Sequence, residues 1–115
     1  MNGDCIFCKI GAGEISSTAL FRDEDVIAIA DLNPQAPVHL LVMPLRHHAN
    51  IVDACQAGDG ALVEKLLAVA ARLGREHGGT QGFRLVVNTG PSGGQTVDHL
   101  HVHVLAGRSM SWPPG

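Results

Sequence analysis

The chain has 115 residues, of which 45% are hydrophobic and 17% charged, and we interpret it as one globular domain over 1–115. Its formal net charge of −3 excludes the broad positive field that holds a nucleic-acid polymer. The first residues carry no basic segment followed by a long apolar run, so we expect neither a signal peptide nor a membrane anchor. Three cysteines, an odd number, argue against a disulfide framework, and we expect a cytoplasmic location.

The hydrophobic pattern alternates short strands with helices. In chain order it predicts a short helix over 5–10, strands over 19–22, 26–31 and 38–43, the principal helix over 60–77, and strands over 83–87 and 99–105. The principal helix rests on apolar residues at helical spacing, Leu62, Leu66, Val69 and Leu73, and on the glycine pair that ends it. These elements predict an α+β domain, a mostly antiparallel sheet with one principal helix packed on it.

Three histidines stand at alternate positions in the last strand. Side chains alternate between the faces of a strand, so His99, His101 and His103 share one face, with neighbouring imidazoles about 6.8 Å apart. A neutral imidazole is nucleophilic near pH 7, and its phosphoryl adduct is labile to water. The pattern therefore predicts a site for phosphoryl transfer, and the alternative is a half-exposed strand that tolerates imidazoles.

A glycine-rich loop over 88–95 precedes the histidine strand. Backbone N–H groups that no side chain obstructs bind phosphate oxygens well, and Gly93, Gly94 and Gln95 offer such groups. We therefore expect this loop to cradle the phosphate of a substrate.

The segment over 88–105 resembles the signature of the histidine triad (HIT) family, because Gly-Gln-Thr is followed by His-Leu-His-Val-His-Val-Leu. The terminal Trp-Pro-Pro-Gly, the Asp-Leu-Asn-Pro-Gln-Ala-Pro over 31–37 and the Val-Met-Pro over 42–44 are similar to the Hint branch, the purine nucleoside phosphoramidases. The resemblance implies a five-stranded antiparallel sheet with helices, in a homodimer whose two sheets become one. It also implies hydrolysis of a P–N or P–O bond at the α-phosphate of a purine nucleoside phosphoramidate.

The resemblance also implies the catalytic roles. His101 attacks the α-phosphorus and forms a nucleotidyl-histidine that water resolves, while the carbonyl of His99 holds its Nδ1–H. His103 contacts the phosphate, and Gln95 and Thr96 flank the phosphate and the leaving group. Thr96 stands where serine is more usual. The nucleotidyl-transferring branch has glutamine at the position of His103, so the histidine favours hydrolysis over transfer.

Four further residues receive substrate-binding roles from the resemblance. Asn88 and Gly94 line the phosphate site, and Asp31 accepts hydrogen bonds from the ribose hydroxyls. The carboxyl-terminal tail of this branch reaches toward the active site of the partner subunit, which gives Trp112 a part in substrate choice.

The spacing of Cys5 and Cys8 lets two thiolates bind one metal ion. The resemblance to bacterial members of the family implies that His47 and His99 complete a structural zinc site, and no organic cofactor is expected. His48 is an alternative to its neighbour His47. A redox dithiol and a pair of unligated thiols are the alternatives to zinc.

Other functions remain open on the sequence. One is a dinucleoside polyphosphate hydrolase of the same family, and another is a nucleotide-binding or protein-interaction module without turnover. A zinc-dependent catalyst that uses all three triad histidines as ligands is disfavoured, because one strand does not point three alternate imidazoles at one ion.

A few reactive side chains have no partner pattern. We expect a small packed thiol at Cys55, a polar strand end at His39 and a helix C-terminal cation at His77. Alternation points Asp98 away from His99, which predicts a surface role for this carboxylate.

Overall fold

The computed structural model describes residues 4–115. Its helices are α1 (Ile6–Gly11), α2 (Ile51–Gln56) and α3 (Gly60–Gly78), and a 3-10 turn covers Gly79–Gln81. Its strands are β1 (Ala19–Arg22), β2 (Val26–Ala30), β3 (Val38–Pro44), β4 (Phe83–Val86) and β5 (Val102–Ala106).

The five strands form one sheet in the order β1-β2-β3-β5-β4, and each neighbouring pair is antiparallel. The predicted five-stranded antiparallel sheet is therefore confirmed. The central strand β3 pairs with β2 through Ile29 and Leu41 and with β5 through Leu41 and His103. Because β3 is covered on both faces, its nearly continuous apolar run is buried.

The sheet separates two hydrophobic clusters. On one face, Leu66 and Leu73 of α3 pack against Val42, Val102 and Val104. The other face carries a second cluster, whose members are Cys5, Phe7, Ile10, Ile27, Ile29, Leu41 and Met43. The apolar residues that alternate with the triad histidines thus fill the α3 side, and the histidines belong to the α1 side.

The principal helix α3 has 19 residues and lies close to the sheet. A Cβ at Gly74 would stand 2.6 Å from ring atoms of Phe83, so a glycine is needed where α3 passes β4. His77 lies in the last turn, as the sequence predicted. No helix among residues 4–115 is both long enough and apolar enough to span a membrane.

One helix was not predicted and one strand begins three residues later than predicted, while the bounds of the other predicted helices and strands agree within one residue. The helix α2 was not predicted, because six residues are too few to show a helical period, although Asn50 caps it by accepting a hydrogen bond from the Asp53 N–H at 2.9 Å. The last strand begins at Val102 instead of His99. The segment over 99–101, which leads into this strand, does not pair with the sheet, because the Leu100 N–H donates to the carbonyl of His48 at 2.7 Å.

Candidate active site and metal centre

A cavity of about 530 Å³ opens on the α1 side of the sheet. Its apolar wall comes from α1, β2, β3 and the segment after β2, in the residues Ile6, Phe7, Ile10, Ile29, Leu32 and Leu41. Its polar wall includes Asp31, His39, Thr96, His101 and His103. Among the described residues that line it, none is a lysine or an arginine. The cavity therefore combines an apolar slot with imidazoles and one carboxylate.

The buried imidazole of His101 is held in one orientation. Its Nδ1 lies 2.7 Å from the carbonyl oxygen of His99, so Nδ1–H donates and Nε2 keeps its lone pair. The ring of Phe7 stands edge-on to it, with centroids 5.1 Å apart. This arrangement provides an oriented nitrogen nucleophile at the cavity wall.

The ring of His103 lies next to His101, with centroids 5.0 Å apart. Burial, reinforced by the neighbouring His101 and His39, lowers the pKa of His103 to about 4, although Asp31 acts in the opposite direction. His103 is therefore neutral at pH 7. It can donate or accept a hydrogen bond there without carrying a charge.

A third cavity imidazole, His39, was not predicted as a site residue. We expected only a polar strand end, but His39 is buried, and its Nε2 lies 2.9 Å from Nδ1 of His103 and 3.3 Å from Oδ2 of Asp31. That expectation is wrong because a histidine inside a buried strand needs a polar partner. Its place as the one polar residue between Val38 and Met43 was the available signal.

The carboxylate of Asp31 stands at the end of β2, on the cavity wall. Its Oδ1 accepts a hydrogen bond from the Asn33 N–H at 2.8 Å, and its Oδ2 faces His39. The turn that follows β2 thereby fixes the carboxylate. Each oxygen retains accepting capacity for a ligand hydroxyl.

Two cysteines and two histidines converge beside this cavity. The ligand atoms of Cys5, Cys8, His47 and His99 all lie within 4.8 Å of one another. The Cys5 Sγ is 3.3 Å from the Nδ1 of His99, and the Cys8 Sγ is 3.2 Å from the Nδ1 of His47. The two Nδ1 atoms are 3.1 Å apart. Ligands of a tetrahedral zinc ion lie about 3.3 Å apart for two nitrogens and about 3.8 Å apart for two sulfurs, so the cluster fits that ion.

The protonation of His99 also fits a metal ligand. Its Nε2–H donates to the carbonyl of Pro44 at 2.8 Å, so Nδ1 turns a lone pair toward the thiols. Burial lowers the pKa of His99 to about 4, which keeps the ring neutral at pH 7. His48, the alternative ligand, instead lies 2.7 Å from the carboxylate of Asp59. His47 thus faces the cysteines, and His48 faces Asp59.

The third cysteine differs from its prediction. Cys55 lies in α2 and is exposed, so the expected packed thiol is wrong. The buried residue of that helix is its neighbour Ala54, and a helix turns the next side chain away from the face that Ala54 buries.

Residues 12–110 match the family model of the HIT domain. The chain belongs to the HIT family. A 14 kDa zinc-binding protein of Zea mays is 43% identical over 111 residues, covering 96% of this chain and 87% of the relative. Adenylylsulfatase HINT1 of Arabidopsis thaliana is 41% identical over 111 residues, covering 96% of this chain and 76% of that relative. The crystal structure of a HIT family hydrolase from Legionella pneumophila superposes with a TM-score of 0.92 at 45% identity, covering 97% of this chain and 100% of that one.

Within this HIT domain, the side chain of Gln95 faces the protein interior. Its Nε2 donates to the carbonyls of Ala49 and Val97, at 2.6 and 3.0 Å, and its Oε1 accepts from the Gly90 N–H at 3.0 Å. Gln95 therefore ties the glycine-rich loop to the segment that carries His47, and it does not line the cavity.

The glycine-rich loop uses some of its own donors. The Gly94 N–H donates to the carbonyl of Pro91 at 3.1 Å, and the Gln95 N–H donates to that of Gly90 at 3.0 Å. Two of the three N–H groups expected to cradle a phosphate, those of Gly94 and Gln95, therefore donate within the turn in this conformation. Tight glycine turns often close on themselves in this way, and the sequence shows only that the turn is possible.

The remaining residues suggested by the resemblance lie at different places. Thr96 lines the cavity. Asn88 lies beside Gly94, and neither residue lines the cavity. Trp112 is 83% exposed and stands outside the cavity of its own chain.

Proposed function

We propose that the protein is a nucleotide hydrolase that cleaves the P–N or P–O bond at the α-phosphate of purine nucleoside phosphoramidates. The observation that carries this proposal is the 2.7 Å hydrogen bond from His101 Nδ1–H to the His99 carbonyl, because it frees Nε2 for nucleophilic attack. The relatives named as a hydrolase and an adenylylsulfatase support nucleotide hydrolysis in general.

In the proposed mechanism, His101 Nε2 attacks the α-phosphorus and a P–N bond to the imidazole forms. The bond to the leaving amine or oxygen breaks, and its electron pair leaves with that group, which takes up a proton from water. A water molecule then attacks the same phosphorus, releasing the nucleoside monophosphate and restoring the imidazole. His103 contacts the phosphoryl oxygens, and Asp31 accepts from the ribose hydroxyls while the apolar slot takes the base. Thr96, which lines the cavity, flanks the leaving group in this scheme, and Gln95 holds the loop that precedes Thr96.

The competing function is hydrolysis of dinucleoside polyphosphates. A polyphosphate brings several negative charges, and a site for it normally offers lysine, arginine or a metal ion to balance them. The described cavity lining holds no lysine or arginine, and its one carboxylate repels further phosphates. This observation favours a substrate with a single phosphate.

We also propose that Cys5, Cys8, His47 and His99 hold a structural zinc ion, which the relative named as a zinc-binding protein supports. A zinc ion bound there supplies a rigid crosslink between α1 and the segments that carry the two histidines. His99 is both a ligand and the residue whose carbonyl orients His101. The ion therefore acts on the fold, and His101 and His103 perform the chemistry.

The turnover of two substrates tests the proposed function. Adenosine 5′-monophosphoramidate and a diadenosine polyphosphate share the adenosine and the α-phosphate but differ in the charge beyond it. We expect kcat/KM to be at least about 100-fold higher for the phosphoramidate, a difference of about 2.7 kcal/mol in transition-state binding. Equal values would contradict the preference for a single phosphate, a higher value for the polyphosphate would assign the chain to polyphosphate hydrolysis, and no turnover of either substrate would favour a binding module.

Asp31→Ala should raise KM for adenosine 5′-monophosphoramidate by about 10- to 100-fold and leave KM for the 2′,3′-dideoxy analogue within about twofold. The reason is that the carboxylate accepts hydrogen bonds that only the ribonucleotide can donate. Steady-state kinetics on both substrates measures the difference.

Glu14→Ala serves as a matched control, because it removes a carboxylate from an exposed position outside the cavity. It should leave both KM values unchanged. If Asp31→Ala raised both KM values equally, the carboxylate would act on cavity structure and not on the ribose.

The cytoplasmic homodimer is part of the same proposal. The edge strand β4 is only partly buried in one chain, and Phe83 at its start is 38% exposed, as expected for a surface that a second copy covers. Trp112 is then available to the partner subunit's cavity. Light scattering at micromolar concentration should give the mass of two chains, and the mass of one chain would contradict the dimer.

A further inference from the structure

A chain of hydrogen bonds starts at a backbone amide and ends at the triad. The Gln35 N–H donates to Nδ1 of His39 at 3.0 Å, and Nε2 of His39 lies 2.9 Å from Nδ1 of His103. A backbone N–H is always a donor, so Nδ1 of His39 must accept. The proton of the His39 ring therefore stands on Nε2, because a proton on Nδ1 would face a second donor.

The direction of the first hydrogen bond fixes that of the second. Nε2–H of His39 is closer to Nδ1 of His103, at 2.9 Å, than to Oδ2 of Asp31, at 3.3 Å. Nδ1 of His103 therefore accepts, and the single proton of this neutral ring stands on its Nε2. Burial holds the pKa of His103 at about 4, so a second proton does not arrive near pH 7.

We propose that His39 is a positioning residue which fixes the tautomer of His103, so that this ring presents Nε2–H as a hydrogen-bond donor to the substrate's phosphoryl oxygen. The role toward substrate rests on the proposed function, whereas the tautomer is a property of the resting protein. The opposite tautomer would turn a lone pair toward a negatively charged oxygen. With no lysine or arginine in the described cavity lining, that loss would have no cationic replacement.

A metal ion is the competing explanation for the same three residues. The ligand atoms of Asp31, His39 and His103 also lie within 4.8 Å of one another. A metal at Nε2 of a neutral His39 would require the ring proton on Nδ1, where the Gln35 N–H already donates. This geometry disfavours a metal there, in contrast to His99, whose Nε2–H donates to a carbonyl and leaves Nδ1 free.

Nitrogen-15 NMR of the zinc-loaded wild type at pH 7 tests the tautomers without substrate. We expect long-range proton–nitrogen correlations to show Nε2–H and a bare Nδ1 for both His39 and His103. A proton on Nδ1 of His103, or a mixture of its tautomers, would overturn the proposal. A second equivalent of Zn²⁺ that shifts both rings would overturn it as well, because the cluster would then be a metal site.

Two variants test the consequence for catalysis. His39→Leu removes the donor, and we expect mixed tautomers at His103 with kcat lowered about 10- to 100-fold at a nearly unchanged KM. His39→Gln keeps an amide donor near the position of Nε2, so it should restore most of the lost kcat and the Nε2–H form of His103. A wild-type kcat in His39→Leu, or an unchanged Nε2–H tautomer of His103 in that variant, would overturn the proposal.

The two proposals fail in different ways. A wild type with the expected tautomers but no turnover of the phosphoramidate would remove the proposed function and leave the tautomer assignment standing. Turnover of the phosphoramidate by a protein with the proton on Nδ1 of His103 would remove the tautomer assignment and leave the proposed function standing. Folding of each variant is checked by its amide spectrum, and the wild-type NMR measurement decides the tautomer even where a variant does not fold.

Discussion

His101→Ala should lower kcat for adenosine 5′-monophosphoramidate by about 10³-fold or more and leave the Kd for the nucleotide within about threefold. The loss is large because Nε2 of this ring forms the new bond to phosphorus, and no other described imidazole that lines the cavity donates to a carbonyl. The Kd changes little because the apolar slot and Asp31, which bind the nucleoside, remain. Single-turnover kinetics and equilibrium binding measure the two effects separately.

His77→Ala is the matched control for that variant. His77 lies in the last turn of α3, outside the cavity, so its loss should change neither kcat nor Kd. Thermal melts of both variants exclude unfolding as the cause. A His101→Ala variant that kept more than about a tenth of the wild-type kcat would show that another group is the nucleophile.

Cys5→Ser combined with Cys8→Ser should lower Tm by roughly 15 °C at zinc concentrations that saturate the wild type. The ion binds the native state through groups that the unfolded chain does not hold together, so a thousandfold excess over Kd contributes about 4 kcal/mol of stability. Cys5 also caps α1 by accepting from the Cys8 N–H at 3.3 Å, and a serine hydroxyl can accept the same hydrogen bond, so the loss of Tm reports the metal site. Calorimetry with and without a chelator measures the zinc-dependent part.

Cys55→Ser is the control for the loss of a thiol. This exposed cysteine lies outside the cluster, so its substitution should leave Tm and zinc content unchanged. Metal analysis should find one zinc per chain in the reduced wild type and no zinc in the double variant. A wild type that contains no zinc, or whose Tm is the same with and without chelator, would contradict the structural zinc site.

The sequence predicted the sheet and the position of the histidines because both depend on a period of two. The apolar residues that alternate with His101 and His103 are buried against α3, and this leaves the imidazoles on the opposite face. The cluster of Cys5, Cys8, His47 and His99 also follows from residues named in advance, although their spacing by itself does not choose between His47 and His48.

Features that depend on individual hydrogen bonds were not predictable from the sequence. The partner of His39 comes from the register of β3 against β5, which composition does not encode. The inward direction of Gln95 depends on a carbonyl of Ala49 that is distant in sequence. A glycine-rich loop is compatible with a phosphate cradle and with a self-bonded turn, and only the backbone directions decide between them.

Trapping the covalent intermediate tests the central claim most directly. Wild-type protein mixed with adenosine 5′-monophosphoramidate and quenched on the millisecond scale should gain the mass of one adenylyl group, and the peptide that contains His101 should carry it. The adduct should be acid-labile, as a phosphoryl-imidazole is, and should be absent from His101→Ala. Turnover without any adduct, or an adduct on a residue other than His101, would contradict the account.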